Sequence, residues 1–284
     1  MIERVGVVGC GQMGAGIAES CARAGAAVIV YEVSDASLEA GQRRIDKSLA
    51  RAVGANKLSA EGADAARERL LFTTELDALG ECQLVVEAIV EDEQAKVELF
   101  AALDNALDAG TILASNTSSI PISRLADATN RPQAVLGMHF FNPVPVMPLV
   151  ELIVCERTSE AIAREVEAFA SQRLGKRVIH APDRAGFIVN ALLIPYLLDA
   201  IRMFAAGLAS AADIDDAMKL GCAHPMGPLA LSDFIGLDTV VLIGDVLHRD
   251  LGDSKFEPPA LLRQLVAAGK FGRKSGTGFY GYTT

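Results

Sequence analysis

His139 and Glu151 are the only titratable side chains in GMHFFNPVPVMPLVELI, residues 137–153. An imidazole set among Phe140, Phe141 and Val144 loses solvation of its charged form, and an unpaired buried carboxylate costs on the order of several kcal/mol. Paired, each offsets the other's cost. A histidine also exchanges a proton near neutral pH, and a carboxylate on one ring nitrogen fixes its tautomer and supports the imidazolium. The two therefore suit a general base and its orienter, with a structural His–Glu bond closing a proline-rich loop as the alternative. A second polar cluster, TILASNTSSI at 111–120, sets Asn116, Ser118 and Ser119 directly after an apolar run. Taken alone, the two serines read as turn and cap residues.

Such side chains need elements that bring them together, and the first two thirds of the chain supply a parallel-sheet pattern. The runs RVGVVG, AAVIVYE, QLVVEAI, TILAS and AVLGMHF alternate with segments of helical composition. Near-continuous apolar strands of this kind are expected where helices cover both faces of a sheet. LVELIV and KRVIHA add two more strands around a helix beginning near Ser159. In an open sheet ligands sit beyond the carboxyl ends of the strands, which is where Asn116, Ser118 and His139 fall.

The first strand runs into VGVVGCGQMGAGIA, with Gly9, Gly11 and Gly14 in the order G-x-G-x-x-G. Gly9 allows the tight turn, Gly11 lets backbone approach a pyrophosphate, and Gly14 lets helix and strand pack closely. Gln12 and Met13 open the helix whose N–H groups face the phosphates. The next strand ends at Glu32, about twenty residues on, where a carboxylate accepts from a ribose diol. A glycine turn without ligand and a merely solvated carboxylate are the alternatives. Glu32 would repel a 2′-phosphate, so NAD rather than NADP is the expected cofactor.

The 284 residues are 51% hydrophobic and carry a formal net charge of −10. That balance argues against non-specific nucleic-acid binding. An anionic ligand must instead find a local basic patch, and GQRRIDKSLARAVGANK (41–57) places Arg43, Lys47 and Arg51 four apart on one helix face. Five widely spaced cysteines without a C-x-x-C pair suggest neither a disulfide framework nor a metal site. With no signal-peptide pattern and no apolar span of membrane length, a soluble cytoplasmic protein is expected.

From Asp183 onward the pattern is helical, with one short possible strand at GFYGY. GFIVNALLIPYLLDAIRMF is apolar on nearly every side, which calls for burial on two fronts, one of them a dimer contact. Pro195 within it should kink or break the helix. The expected fold class is α/β: a Rossmann-type, mostly parallel sheet domain over 1–184, then an all-helical domain over 185–284 serving the substrate cleft and dimerisation.

These residues resemble the L-3-hydroxyacyl-CoA dehydrogenase family along essentially the whole chain, most specifically in HFFNPVPVMPLVE and MKLGCAHPMGPLALSDFIGLD, and also in VEAIVE, ASNTSSI, GFIVN and GRKSGTGFY. The resemblance implies an NAD-dependent interconversion of (S)-3-hydroxyacyl-CoA and 3-oxoacyl-CoA, with short chains such as 3-hydroxybutyryl-CoA favoured by length, in a homodimer. It implies His139 as catalytic histidine with Glu151 as its partner, and Ser118 and Asn190 as hydrogen-bond partners of the reacting oxygen. Glu91, Lys96, Asn116 and Asn142 match positions near the cofactor. Ser119 and Lys57 match positions that hold CoA, with Lys47 and Arg51 adding charge for its phosphates; Gly54 and Ala55 stand where relatives often have lysines. The competing functions are a dehydrogenase of free hydroxy acids, one of functionalised acyl-CoAs such as 3-hydroxyadipyl-CoA, and a non-catalytic dinucleotide-binding protein.

Overall fold

The computed structural model describes residues 1–282 and divides into two compact units, Met1–Arg184 and Ala185–Thr284. The strands of the first are β1 Arg4–Val8, β2 Ala27–Tyr31, β3 Leu70–Thr73, β4 Leu84–Glu87, β5 Ile112–Ser115, β6 Val135–Phe140, β7 Leu149–Ile153 and β8 Arg177–Ala181. Its helices are α1 Gln12–Arg23, α2 Asp35–Gly54, α3 Ala60–Glu68, α4 Glu93–Ala106, α5 Ile122–Ala126 and α6 Glu160–Ala168.

All eight strands form one sheet in the order β3-β2-β1-β4-β5-β6-β7-β8. From β3 to β6 neighbours are parallel; β7 runs antiparallel to β6, and β8 parallel to β7. The strand order reverses between β1 and β4, the kind of switch point at which α/β sheets open a ligand crevice. The core gathers Val5, Val7, Val28, Val30, Leu84 and Val86 from the central strands with Ile17 and Ala18 of α1 and Ile45 and Leu49 of α2. Ser34 caps α2 by accepting from the Ser37 amide, and Gly41 brings that helix against the glycine-rich loop, since a Cβ there would lie 2.3 Å from the Cys10 sulfur.

One strand was not expected from the sequence. β3, LLFT, is a four-residue edge strand with three half-buried positions and Leu71 57% exposed, so it lacks the full burial of the interior strands.

The second unit comprises α7 Val189–Ala205, α8 Ala211–Cys222, α9 Pro228–Ile235, α10 Leu237–Leu251 and α11 Ala260–Ala267. They pack around Ile194, Leu197, Leu198, Ile201, Leu229, Val240 and Leu247. Of the expected kink or break, the break does not occur: α7 is continuous across Pro195. The buried side chains on both sides of the proline hold the helical path despite the missing N–H. The short possible strand at GFYGY does not form: within that segment Gly281 makes a single isolated bridge to Thr277, and the amides of Phe279 and Tyr280 donate to the Asp233 carboxylate. No helix among the described residues is long and apolar enough to cross a membrane.

Candidate active site

The glycine-rich loop after β1 has the shape its spacing predicts. Gly9 takes φ +90°, where a Cβ would lie 2.7 Å from the Ala88 carbonyl oxygen; a Cβ on Gly14 would come within 1.8 Å of the Gly9 carbonyl oxygen. Gly11 differs: a Cβ there would meet no atom within 4 Å. It faces open space at the start of α1, where Gly11 is an N-cap without a side-chain hydrogen bond and the first-turn amides of Gln12, Met13 and Gly14 follow. The Glu32 carboxylate accepts from the Cys10 amide at 2.6 Å, which draws it to the lip of this loop. A crevice lined by Val8, Gly9, Tyr31, Glu32, Ile89 and Leu99 runs alongside. Open space before Gly11, uncapped amides and an acid at the next strand end together fit a dinucleotide.

Arg44 was not singled out from the sequence. Its guanidinium donates to the Cys10 carbonyl at 3.2 Å from α2, so Glu32 and Arg44 grip the two sides of one loop residue. The Cys10 thiol between them is pushed up to about 12, first by burial and then by the Glu32 charge, with Arg44 opposing.

His139 and Glu151 are direct cross-strand partners in the antiparallel β6–β7 ladder. Residues so placed have their side chains on one face of the sheet, and Nδ1 of His139 lies 2.7 Å from Oε2 of Glu151, with both side chains buried. The Phe141 ring stands 4.5 Å from the imidazole. At the adjoining strand end, Asn116 Oδ1 accepts from the Phe140 amide at 2.9 Å, which ties the loop after β5 to the residue following His139. The proline-rich loop between β6 and β7 is held from below by Lys176, whose buried ammonium donates to the carbonyls of Val144 at 2.6 Å and Met147 at 2.7 Å. Asn142 lies exposed on that loop.

Glu91 sits at the centre of a denser network than its sequence context suggests. Its Oε1 accepts from the Thr117 hydroxyl at 2.7 Å, the Ser118 amide at 2.8 Å, the Ser119 hydroxyl at 2.9 Å, and the Ser118 hydroxyl and Ser119 amide at 3.1 Å. Burial by itself would raise the pKa of this carboxyl, but the Lys96 charge and the hydrogen bonds from Thr117, Ser118 and Ser119 outweigh it, and the net shift is downward. Ser118 therefore lies at the strand ends, half-buried, with its hydroxyl directed by Glu91.

Two expected contacts change character. The resemblance places Lys96 near the cofactor, yet its side chain is 1% exposed, with the ammonium bonded to Glu87 and 3.4 Å from Glu91 Oε2. The resemblance places Ser119 against CoA, but it has no exposed surface and its hydroxyl donates to Glu91. Ser115 and Thr117, which with Glu87 complete this network, carry no individual signal in the sequence.

Lys47 and Arg51 are exposed on α2 together with Arg43, and Lys57 is exposed in the turn that follows it. Asn190 belongs to the second unit, where it is the second residue of α7 and is buried. Among the described residues no group of His, Cys, Asp and Glu is placed to hold a metal ion.

Known families match both units. The model described as 3-hydroxyacyl-CoA dehydrogenase, NAD binding domain covers residues 4–184, and that described as 3-hydroxyacyl-CoA dehydrogenase, C-terminal domain covers residues 186–282. The chain is 56% identical over 282 residues to a 3-hydroxybutyryl-CoA dehydrogenase of Mycobacterium tuberculosis, across 99% of each sequence. Among solved structures it matches M. tuberculosis FadB2 with a TM-score of 0.98 at 55% identity, covering 99% of both chains. It matches the (S)-3-hydroxybutyryl-CoA dehydrogenase PaaH1 of Ralstonia eutropha with a TM-score of 0.93 at 43% identity, covering 100% of both. A glycine-rich loop built for a dinucleotide, a buried His–Glu pair at the strand ends and family matches over both units lead to one conclusion: the chain belongs to the 3-hydroxyacyl-CoA dehydrogenase family and uses NAD.

Proposed function

We propose that this enzyme interconverts (S)-3-hydroxybutyryl-CoA and acetoacetyl-CoA, with His139 as its acid–base residue. The observation that carries the assignment is the 2.7 Å contact between His139 Nδ1 and Glu151 Oε2. A carboxylate on Nδ1 gives proton exchange to Nε2 and stabilises the imidazolium formed when the substrate hydroxyl loses its proton. Bound NAD supplies the acceptor for the C3 hydride. Ser118 orients the 3-oxygen, and Asn116 and Asn142 border the nicotinamide end; positioning of this kind is the protein's main task in a cofactor enzyme. Glu32 selects NAD through the ribose diol.

For the CoA portion, exposed Arg43, Lys47, Arg51 and Lys57 offer cations to its phosphates on an otherwise acidic protein. A homodimer is supported by exposed Leu192 and Leu220 in the second unit, 70% and 85% exposed. Cytoplasmic residence is supported by five free cysteines, four of them buried.

The test is loss of NADH absorbance on addition of acetoacetyl-CoA, with NADPH and free acetoacetate in parallel. Oxidation of NADH by the thioester is the expected result. Equal rates with free acetoacetate would overturn the CoA assignment, and equal rates with NADPH would overturn the role of Glu32.

A further inference from the structure

Glu87 has no part in the chemistry above, yet it is among the most deeply buried charged groups in the chain. It ends β4, has no exposed surface, and is paired across the sheet with Ser115. Its Oε2 accepts from the Ser115 hydroxyl at 2.6 Å; its Oε1 accepts from the Ile89 amide at 2.8 Å and from the Lys96 ammonium. That ammonium also faces Glu91. Two carboxylates thus draw on one buried cation, and removing a partner from a buried ion pair is far costlier than removing an exposed one.

Both ends of this network lead to the segment carrying Ser118. The Ser115 hydroxyl, bonded to Glu87, accepts from the Thr117 amide at 3.1 Å. From the other side Lys96 acts on Glu91, whose Oε1 meets donors from Thr117, Ser118 and Ser119. An oxygen has two lone-pair directions, so five donors cannot all be well served. The Ser118 hydroxyl and the Ser119 amide, both at 3.1 Å, are the longest of these contacts and so the most sensitive to where the Glu91 carboxylate sits.

We propose that Glu87 is a positioning residue: by sharing the charge of Lys96 with Glu91, it sets how tightly Glu91 holds the Ser118 hydroxyl. The proposal rests on the role given to Ser118 above. With Glu87 neutral, the ammonium turns wholly to Glu91 and draws that carboxylate away from the serine segment. With Lys96 gone, two carboxylates are left facing each other without a cation.

The experiment compares wild-type enzyme with Glu87→Gln, Lys96→Met and the double variant, reading kcat, the KM for NADH and the melting temperature. Wild-type enzyme that fails to oxidise NADH with acetoacetyl-CoA overturns the functional assignment itself, before any variant is considered. Given wild-type activity, Glu87→Gln is expected to lower kcat about tenfold at temperatures well below its own, reduced, melting transition, with the KM for NADH within about twofold. Lys96→Met is expected to lose roughly a hundredfold, and adding Glu87→Gln to it recovers at least about threefold by removing the stranded charge. A double variant no faster than Lys96→Met overturns the proposal. Should Lys96→Met not fold, Glu87→Gln decides alone: wild-type kcat, or a loss that tracks melting and KM together, overturns it.

Discussion

At the carboxyl ends of the sheet, carboxylates meet partners that carry or can acquire a charge: buried Glu151 faces the His139 ring, and buried Glu87 and half-buried Glu91 share Lys96. In the second unit Asp215 and Asp233 are buried as deeply, at 3% and 1% exposure, but are met by neutral donors. Asp215 accepts from the amides of Leu229 and Ala230 and from the Tyr280 hydroxyl. Asp233 accepts from the amides of Phe279 and Tyr280 and from the Tyr282 hydroxyl. Glycines bring the backbone this close: a Cβ on Gly227 would lie 2.3 Å from Asp215, and one on Gly278 1.9 Å from Asp233. Backbone amides cannot change charge at working pH, so the aspartates fix geometry permanently. Ionisable partners make the glutamates able to pass or compensate a proton.

The largest expected effect lies on the glutamate side. His139→Gln keeps a hydrogen-bonding group of similar reach toward Glu151 but cannot accept a proton. It should lower kcat roughly a hundredfold to ten-thousandfold, the span of general acid–base catalysis, while the melting temperature moves by no more than about 2 °C. Steady-state NADH oxidation and a thermal scan of the same preparation read both quantities. A variant with near wild-type turnover would remove His139 from the chemistry and leave the pair as a structural bond.

Asp233→Ala should show the opposite pattern. It strands two half-buried amides and a tyrosine hydroxyl, at a cost of about 3 kcal/mol, and should lower the melting temperature by roughly 5–10 °C. Well below the transition kcat should change by less than about fivefold. A fall in kcat as deep as that of His139→Gln, with melting unchanged, would erase the distinction between the two kinds of buried carboxylate.

Sequence legibility follows the same division. His139 and Glu151 were readable because both lie in one apolar stretch and a short proline-rich turn makes them cross-strand neighbours. The glycine-rich loop was readable because Gly9 and Gly14 answer separate steric demands and Gly11 leaves open space for a ligand. Glu87 was not, although a carboxylate ending the apolar run QLVVE, with Lys96 one helix turn into α4, was a signal that could have been weighed. Its meaning depends on the β4–β5 register, which pairs it with Ser115, and no local pattern encodes that pairing. Asp233 was hidden similarly: ALSDFIG places an acid among apolar residues, but its donors arrive from residues 279–282, far along the chain. The unbroken α7 and the half-exposed β3 show tertiary packing overriding local preference, once to preserve a helix across Pro195 and once to recruit a weak edge strand.

The smallest expected effect concerns acid stability and separates charge from hydrogen bonding at Glu91. Its pKa in the folded chain lies below the ordinary value of 4.5, because the Lys96 charge and the bonds from Thr117, Ser118 and Ser119 outweigh the opposing, and individually largest, effect of burial. A depressed folded pKa contributes stability that is present above the ordinary carboxylate pKa and is lost as the pH falls through the folded value. The melting temperature of wild-type protein should therefore exceed that of Glu91→Gln at neutral pH, and the gap should narrow on acidification below about pH 4.5. Thermal scans of the two proteins across this range give the answer. A gap that persists undiminished into acid would mean that Glu91 contributes through shape and hydrogen bonding alone, and would move it to the side of Asp215 and Asp233.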